Sequence, residues 1–146
     1  MNYLFDASSI LNIIKSRKGS AIKILKENYT LQLALYEIRN AIWKDITLLK
    51  SYSLDTGLKI ISTVKKLLNY MNIINPNYPK NVLTIAANLP ATFYDASYIA
   101  ATLENNLTFV TDDKKLTEKI KQNILYQRIF QNNTRNIITN YIIDHT

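Results

Sequence analysis

The sequence predicts a three-layer α/β fold in which a parallel sheet is covered by helices on both faces. Short apolar segments with strand character recur along the chain, and longer segments with apolar residues at helical spacing separate them. Glycine and proline are scarce, with two and three residues among 146, so long helices are expected. Strands joined by helical crossovers pair in parallel, and a parallel sheet has to be covered on both faces.

The first half of the chain is predicted to supply two strands. The first strand is "NYLF" (2–5), followed by a helix that begins near Ser8 and by a second helix within 18–28. The segment "TLQLA" (30–34) has strand character, and apolar residues at helical spacing follow it over 35–49.

The second half is predicted to alternate helices with two further strands. A long helix over 53–72 carries a regular apolar face, made of Leu54, Leu58, Ile61, Val64, Leu68 and Met71. Pro79 suits the first turn of the next helix, and Pro90 ends it before another helix starts at about Tyr94. The remaining elements are a clear strand, a short helix and a second strand, at 107–111, 114–121 and 123–130.

Composition restricts the function. The formal net charge of +7 favours a polyanionic partner, although a chain this rich in Asn, Ile, Lys and Tyr could be basic for compositional reasons alone. There is no Cys and a single His, His145, so thiolate sites and His-pair chemistry are excluded. No apolar run reaches the roughly 18 residues of a membrane span, and the N-terminus lacks a signal-peptide pattern. We therefore expect a cytoplasmic protein with no membrane partner.

The chain has only eleven acidic residues, and several follow predicted strands. Asp6 ends the first strand, Glu37 lies in the first turn of the helix after the second, and Asp95 opens the helix after Pro90. Asp112 and Asp113 follow the strand at 107–111. Because ligands of open parallel sheets bind at the carboxyl ends of the strands, these acids could converge on one edge.

Helix capping is the alternative explanation for each acid, because an Asp at a helix start accepts otherwise unpaired N–H groups. Capping alone would use Ser, Thr and Asn as readily, yet each junction carries a carboxylate. Clustered carboxylates repel one another unless a positive charge lies between them. Oxygen ligands without His or Cys indicate Mg²⁺ or Mn²⁺, and such ions support phosphodiester hydrolysis. With the basic charge, the substrate class suggested is nucleic acid.

The same residues resemble the PIN-domain family, in particular its single-domain VapC toxins. The resemblance lies in "FDASSIL", "LALYEIRNAIWK" and "FYDASYIAATLENNLTFVTDDKKL", and it spans residues 3 to about 120. It implies a three-layer α/β/α PIN-like fold with a central parallel sheet of four to five strands. One domain would fill residues 1–146, with 131–146 as a C-terminal tail that could form an interface.

The resemblance also implies site residues and partners. The metal-binding acids would be Asp6, Glu37, Asp95 and Asp113, and the supporting residues would be Ser8, Asn40, Thr111 and Asp112. Whether Asp112 assists the metal or faces solvent stays open. The implied activity is that of an Mg²⁺- or Mn²⁺-dependent endoribonuclease toxin that acts on RNA, is blocked by a VapB-like antitoxin and forms a homodimer.

Two alternative functions remain. A PIN-type nuclease of RNA processing or DNA repair would need the same acids but no antitoxin. A receiver-like signalling domain also gathers acids at strand ends, but it needs paired acids after the first strand and a phospho-accepting Asp after a middle strand. Here Asp6 is single and the paired acids come late.

Overall fold

A computed structural model describes residues 2–124 and 126, and its centre is a four-stranded parallel sheet. The strands are β1 (Tyr3–Phe5), β2 (Tyr29–Leu31), β3 (Asn72–Ile74) and β4 (Thr108–Val110), in the order β3-β2-β1-β4. The predicted three-layer α/β/α fold with a parallel sheet is confirmed.

Seven α-helices connect and flank these strands in the described part of the chain. They are α1 (Ala7–Arg17), α2 (Ala21–Leu25), α3 (Gln32–Thr47), α4 (Leu54–Leu68), α5 (Pro79–Asn88), α6 (Phe93–Glu104) and α7 (Lys114–Gln122). A 3-10 turn, Lys18–Ser20, joins α1 to α2. None of the described helices is long and apolar enough to cross a membrane.

The strand order determines how the helices are layered. The chain moves in one direction from β1 to β2 to β3 and then returns past β1 to β4. Right-handed crossovers therefore place α1–α4 on one face of the sheet and α5 and α6 on the other. The packing agrees, because α3 contacts both α1 and α4, whereas α5 packs on α6.

The core lies between the sheet and these helices. The paired strands β1 and β4 contribute fully buried side chains from Leu4, Phe5, Phe109 and Val110. Each such large apolar side chain stabilises the fold by roughly 1.5–3 kcal/mol. This packed centre fixes where the carboxyl ends of β1 and β4 lie.

Two predicted element boundaries were wrong around the second strand. The strand ends at Leu31 and α3 begins at Gln32, so Glu37 lies in the second helical turn rather than the first. Ala34, Ile38 and Ile42 are buried at a spacing of four residues, which is the spacing of one helix face. The alternation of apolar residues after Thr30 led to the wrong prediction of a strand through residue 34.

The strand β3 was missed, because the predicted helix over 53–72 actually ends at Leu68. The strand β3 exposes Asn72 and Ile73, so it lacks the buried apolar run that marks β1 and β4. The apolar face predicted for this helix was also too long, because Leu54 and Leu58 are exposed.

The end of the chain was predicted as a strand over 123–130 followed by a tail at 131–146. Ile124 and Tyr126 are helical, which contradicts the strand at those two positions. The rest of that segment and the whole tail lie outside the described residues.

Candidate active site

The strand order reverses between β1 and β4, and ligands of open α/β sheets bind at such a reversal. Asp6 directly follows β1, and its N–H donates to the carbonyl of Val110 at 3.2 Å. Asp112 and Asp113 follow β4 after Thr111. The two neighbouring strand ends therefore carry acidic residues side by side.

A cleft of about 220 Å³ opens at this edge, and all four predicted metal-binding acids line it. Asp6 comes from the end of β1, Glu37 from α3, Asp95 from α6 and Asp113 from the start of α7. Its other lining residues are Ala7, Ser8, Leu11, Ile38, Ala41 and Tyr98. None of the described residues that line the cleft is Lys, Arg or His.

Asp6 is the most buried of the four acids, with 7% of its surface exposed. One carboxylate oxygen, Oδ1, accepts hydrogen bonds from the backbone N–H of Ser9 and from the hydroxyls of Ser8 and Ser9, each at 2.8 Å. The other oxygen, Oδ2, accepts from the buried hydroxyl of Thr111. Burial raises the pKa of Asp6, and these four hydrogen bonds oppose that rise.

Glu37 is half-buried and receives a 2.5 Å hydrogen bond from the Tyr98 hydroxyl on its Oε2 atom. Burial raises the pKa of Glu37, the Tyr98 hydrogen bond lowers it, and the charges of Asp6 and Asp95 raise it further. The charges of Asp6 and Asp95 therefore lie close enough to Glu37 to disfavour its ionised form.

Asp95 lies in the first turn of α6, but it does not cap that helix. Thr92 is the N-cap, and its hydroxyl oxygen accepts from the Asp95 backbone N–H at 3.0 Å. The Asp95 carboxylate accepts no hydrogen bond from the described residues, so it is available in the cleft. The capping explanation is therefore wrong for Asp95.

The paired acids after β4 have different surroundings. Asp113 lines the cleft and also caps α7, because its Oδ1 atom accepts from the Leu116 N–H at 3.0 Å. Asp112 does not line the cleft, and its Oδ2 atom accepts from the amide of Asn12 at 2.8 Å. Its N–H donates to the Ser8 hydroxyl oxygen at 3.3 Å. Asp112 thus ties the loop after β4 to α1.

The remaining predicted site residues differ in their positions. Thr111 lies fully buried beneath the cleft, where it donates to Asp6 and accepts from the Asp113 N–H at 3.0 Å. Ser8 is exposed and lines the cleft beside Asp6. Asn40 is exposed on α3 and does not line the cleft.

Comparisons with known proteins identify the family. Exonuclease VapC9 of Pyrobaculum aerophilum is 31% identical over 121 residues, which cover 83% of this chain and 87% of that protein. This chain belongs to the VapC family. The predicted resemblance is thereby confirmed, although no family model matches the sequence.

Solved structures agree with that assignment. The crystal structure of PAE2754 from Pyrobaculum aerophilum shares 30% identity with a TM-score of 0.68, over 90% of this chain and 98% of that one. A toxin–antitoxin complex from Klebsiella pneumoniae aligns with a TM-score of 0.56 over 78% of this chain and 88% of that one. At 18% identity, this second likeness concerns the fold alone.

Two residues of this VapC chain that contact the acids, Ser9 and Tyr98, were not predicted from the sequence. Ser9 donates its hydroxyl to Asp6 and also lies within 3.1 Å of the Val110 carbonyl, and Tyr98 donates to Glu37. The "DASS" segment gave a weak signal for Ser9, since residues after an N-cap Asp often share its hydrogen bonds. Tyr98 gave none, because its partner lies 61 residues away.

The acids share the cleft without forming a closed ligand set. Within residues 2–124 and 126, no three acidic or histidine side chains converge closely enough to hold one metal ion. Glu37 and Asp113 each have one carboxylate oxygen bonded to the protein, to Tyr98 and to the Leu116 N–H respectively. The acidic side chains would therefore have to move closer together to share an ion.

Proposed function

We propose that this VapC-family chain is a metal-dependent endoribonuclease, and that it acts as the toxin of a toxin–antitoxin pair. The observation that carries the proposal is the cleft between β1 and β4, where four carboxylates from four separate elements meet and no cationic side chain is among the described lining residues. Mutual repulsion between carboxylates at one edge opposes folding, and a bound cation would offset it.

The donor set fits Mg²⁺ or Mn²⁺, because it consists of carboxylate and hydroxyl oxygens. Asp6, Glu37, Asp95 and Asp113 would hold the ion. When bound, such an ion makes water more acidic and neutralises charge on a phosphodiester. The hydroxyl of Thr111 keeps Asp6 oriented, and Asp95 offers a carboxylate with no competing partner among the described residues.

RNA as the substrate is supported by charge. The chain carries a net charge of +7, although its cleft is acidic. Lys114 and Lys115 are exposed and directly follow Asp113. Basic side chains next to an acidic cleft would attract the phosphate backbone of a nucleic acid.

Family membership supports the toxin role. A VapB-like antitoxin is the expected inhibitor. The chain is expected to form one domain and to assemble as a homodimer, with the tail at 131–146 contributing to the interface. The expected location is the cytoplasm, where RNA is accessible. A PIN-type nuclease without an antitoxin would use the same cleft, so the presence of a small inhibitor gene beside this one separates the two proposals.

An exonuclease is the second candidate, because the Pyrobaculum relative is named as one. Circular RNA separates the two activities, since it has no ends. An endonuclease linearises the circle, whereas an exonuclease degrades only the matched linear RNA.

The test is therefore cleavage of matched circular and linear RNAs with Mg²⁺, with Mn²⁺ or with EDTA. We expect both RNAs to be cut only when a divalent ion is present. Asp6→Asn should abolish cutting, since Asn lacks the charge yet keeps an oxygen for the Ser9 N–H. Asp45→Asn is the matched control, because Asp45 pairs with Lys15 at 2.9 Å and does not line the cleft. Cleavage in EDTA, or by Asp6→Asn at the wild-type rate, would contradict the proposal.

A further inference from the structure

We infer that Tyr98 is a positioning residue that holds Glu37 in the acidic cleft for metal binding, an inference that rests on the proposed function. The two residues belong to helices on opposite faces of the sheet, α6 and α3. Their side chains meet at the carboxyl edge, where the Tyr98 hydroxyl donates to Glu37 Oε2 at 2.5 Å.

The core holds the Tyr98 ring in place. Only 2% of its surface is exposed, and its ring stacks on that of Phe109 with centroids 6.1 Å apart and planes inclined by 21°. Phe109 is fully buried in β4, which pairs with β1. The phenol oxygen is thus attached to a rigid support, while the edge of the ring that carries it reaches the cleft.

Glu37 needs such a support because its surroundings favour rotation of its carboxylate out of the cleft. Its side chain has several rotatable bonds, and the like charges of Asp6 and Asp95 lie close enough to raise its pKa. The carboxylate could lower this repulsion by turning toward solvent, since it is only half-buried. The hydrogen bond from Tyr98 opposes that rotation and keeps the charge inside the cleft.

The hydrogen bond also leaves one oxygen of Glu37 available. Oε2 accepts from Tyr98, and Oε1 accepts no hydrogen bond from the described residues. A carboxylate held through one oxygen presents the other in a fixed direction, which is how partners behind a metal ligand orient it. Tyr98 therefore acts through Glu37 and need not touch the ion.

The test compares Tyr98→Phe with Tyr52→Phe. Both changes remove one hydroxyl that donates to a carboxylate, but Tyr52 donates to Asp45 at 3.1 Å, and neither of these residues lines the cleft. Mn²⁺ affinity is measured by titration calorimetry on the full chain, together with the Mn²⁺ concentration that gives half-maximal RNA cleavage. We expect Tyr98→Phe to weaken Mn²⁺ binding by about tenfold or more and Tyr52→Phe to leave it unchanged.

A double variant shows whether Tyr98 acts through Glu37. Glu37→Gln should weaken Mn²⁺ binding, and adding Tyr98→Phe to it should cause no further loss. Circular dichroism and thermal unfolding without metal check that Tyr98→Phe folds, since Phe keeps the stacked ring. If that variant is unfolded, the same comparison uses Tyr98→Trp, whose ring is also large but whose N–H lies elsewhere.

The outcomes separate this inference from the proposed function. A wild-type protein that binds no Mn²⁺ overturns both. If the wild type binds and cleaves while Tyr98→Phe binds Mn²⁺ equally well or more tightly, only the positioning role is overturned. An equal loss in Tyr98→Phe with and without Glu37→Gln would likewise show that Tyr98 does not act through Glu37.

Discussion

The acidic cleft and the groove between α1, α2 and α4 differ in both volume and charge. The groove is larger, with a volume of about 840 Å³ against 220 Å³. We call it the lysine groove, because its rim carries Lys15, Lys18, Lys59 and Lys66 around an apolar floor. No acidic side chain is among the described residues that line it. The proposed chemistry therefore lies in the smaller of the two cavities, where charged groups converge.

The origin of the two surfaces explains the difference. The cleft lies where the strand order reverses, so side chains distant in sequence arrive there through the topology of the sheet. The lysine groove lies on the outer layer of helices, whose solvent-facing positions take whatever charge the composition supplies. If this distinction is correct, charge changes in the cleft alter catalysis and charge changes in the groove do not.

The largest effect is expected from the loop after β4. Asp113→Ser keeps an N-cap for α7 but removes a carboxylate from the cleft, so RNA cleavage should fall by more than about 100-fold. Asp112→Asn and the groove variant Lys66→Gln should stay within about threefold of wild type, because neither residue lines the cleft. Single-turnover cleavage at saturating Mn²⁺ measures all three. Equal losses in Asp112→Asn and Asp113→Ser would show that the two acids share one role.

Removal of the Thr111 hydroxyl, which donates to Asp6, is expected to have the next largest effect. Thr111→Val leaves a buried carboxylate oxygen without its partner, which should cost roughly 1–3 kcal/mol in the free energy of unfolding. Thr30→Val is the matched control, since Thr30 is equally buried but donates to the Phe5 carbonyl at 2.8 Å.

Urea unfolding and RNA cleavage of these two threonine variants should separate stability from function. We expect both variants to be destabilised, but only Thr111→Val to lose cleavage activity once each is assayed fully folded. A comparable activity loss in Thr30→Val would mean that Asp6 responds to the stability of the sheet rather than to the hydroxyl of Thr111.

The features that could be predicted are those marked by a pattern in a short stretch of sequence. Asp6 and Asp113 could be predicted as site residues because each lies just after a buried strand, and the pairing of β1 with β4 then brings them together. Their capping role was the rival explanation, yet both residues cap a helix and line the cleft. One carboxylate serves both purposes because it has two oxygens.

The parts that could not be predicted depend on packing. The strand β3 buries too little to leave an apolar pattern, and the bond between Tyr98 and Glu37 requires knowing how α6 lies against α3. The role of Asp112 stayed open for the same reason, since Asn12 is 100 residues away. Sequence patterns report what an element buries, but not which element it meets.

The smallest expected effect is a pH dependence of the free energy of unfolding, caused by the titration of Glu37 in the cleft. The folded-state pKa of Glu37 is raised by burial and by the charges of Asp6 and Asp95, against the hydrogen bond from Tyr98. A raised pKa means that the folded protein binds this proton more tightly than the unfolded chain. The associated stabilisation is complete below the unfolded pKa, near 4.3, and is lost as pH rises through the folded value.

Glu37→Gln removes this dependence and keeps an acceptor for the Tyr98 hydroxyl. In EDTA, the variant should therefore gain stability relative to wild type as pH rises from about 4 to 8, measured by urea unfolding at each pH. Lys66→Gln in the lysine groove should show no such trend, because Lys66 does not line the cleft. Adding Mn²⁺ at pH 8 should stabilise wild type more than Glu37→Gln, since a bound cation removes the repulsion that the substitution had removed. A difference between Glu37→Gln and wild type that is constant with pH would show that the cleft charges do not oppose folding, and the contrast between cleft and groove would then rest on catalysis alone.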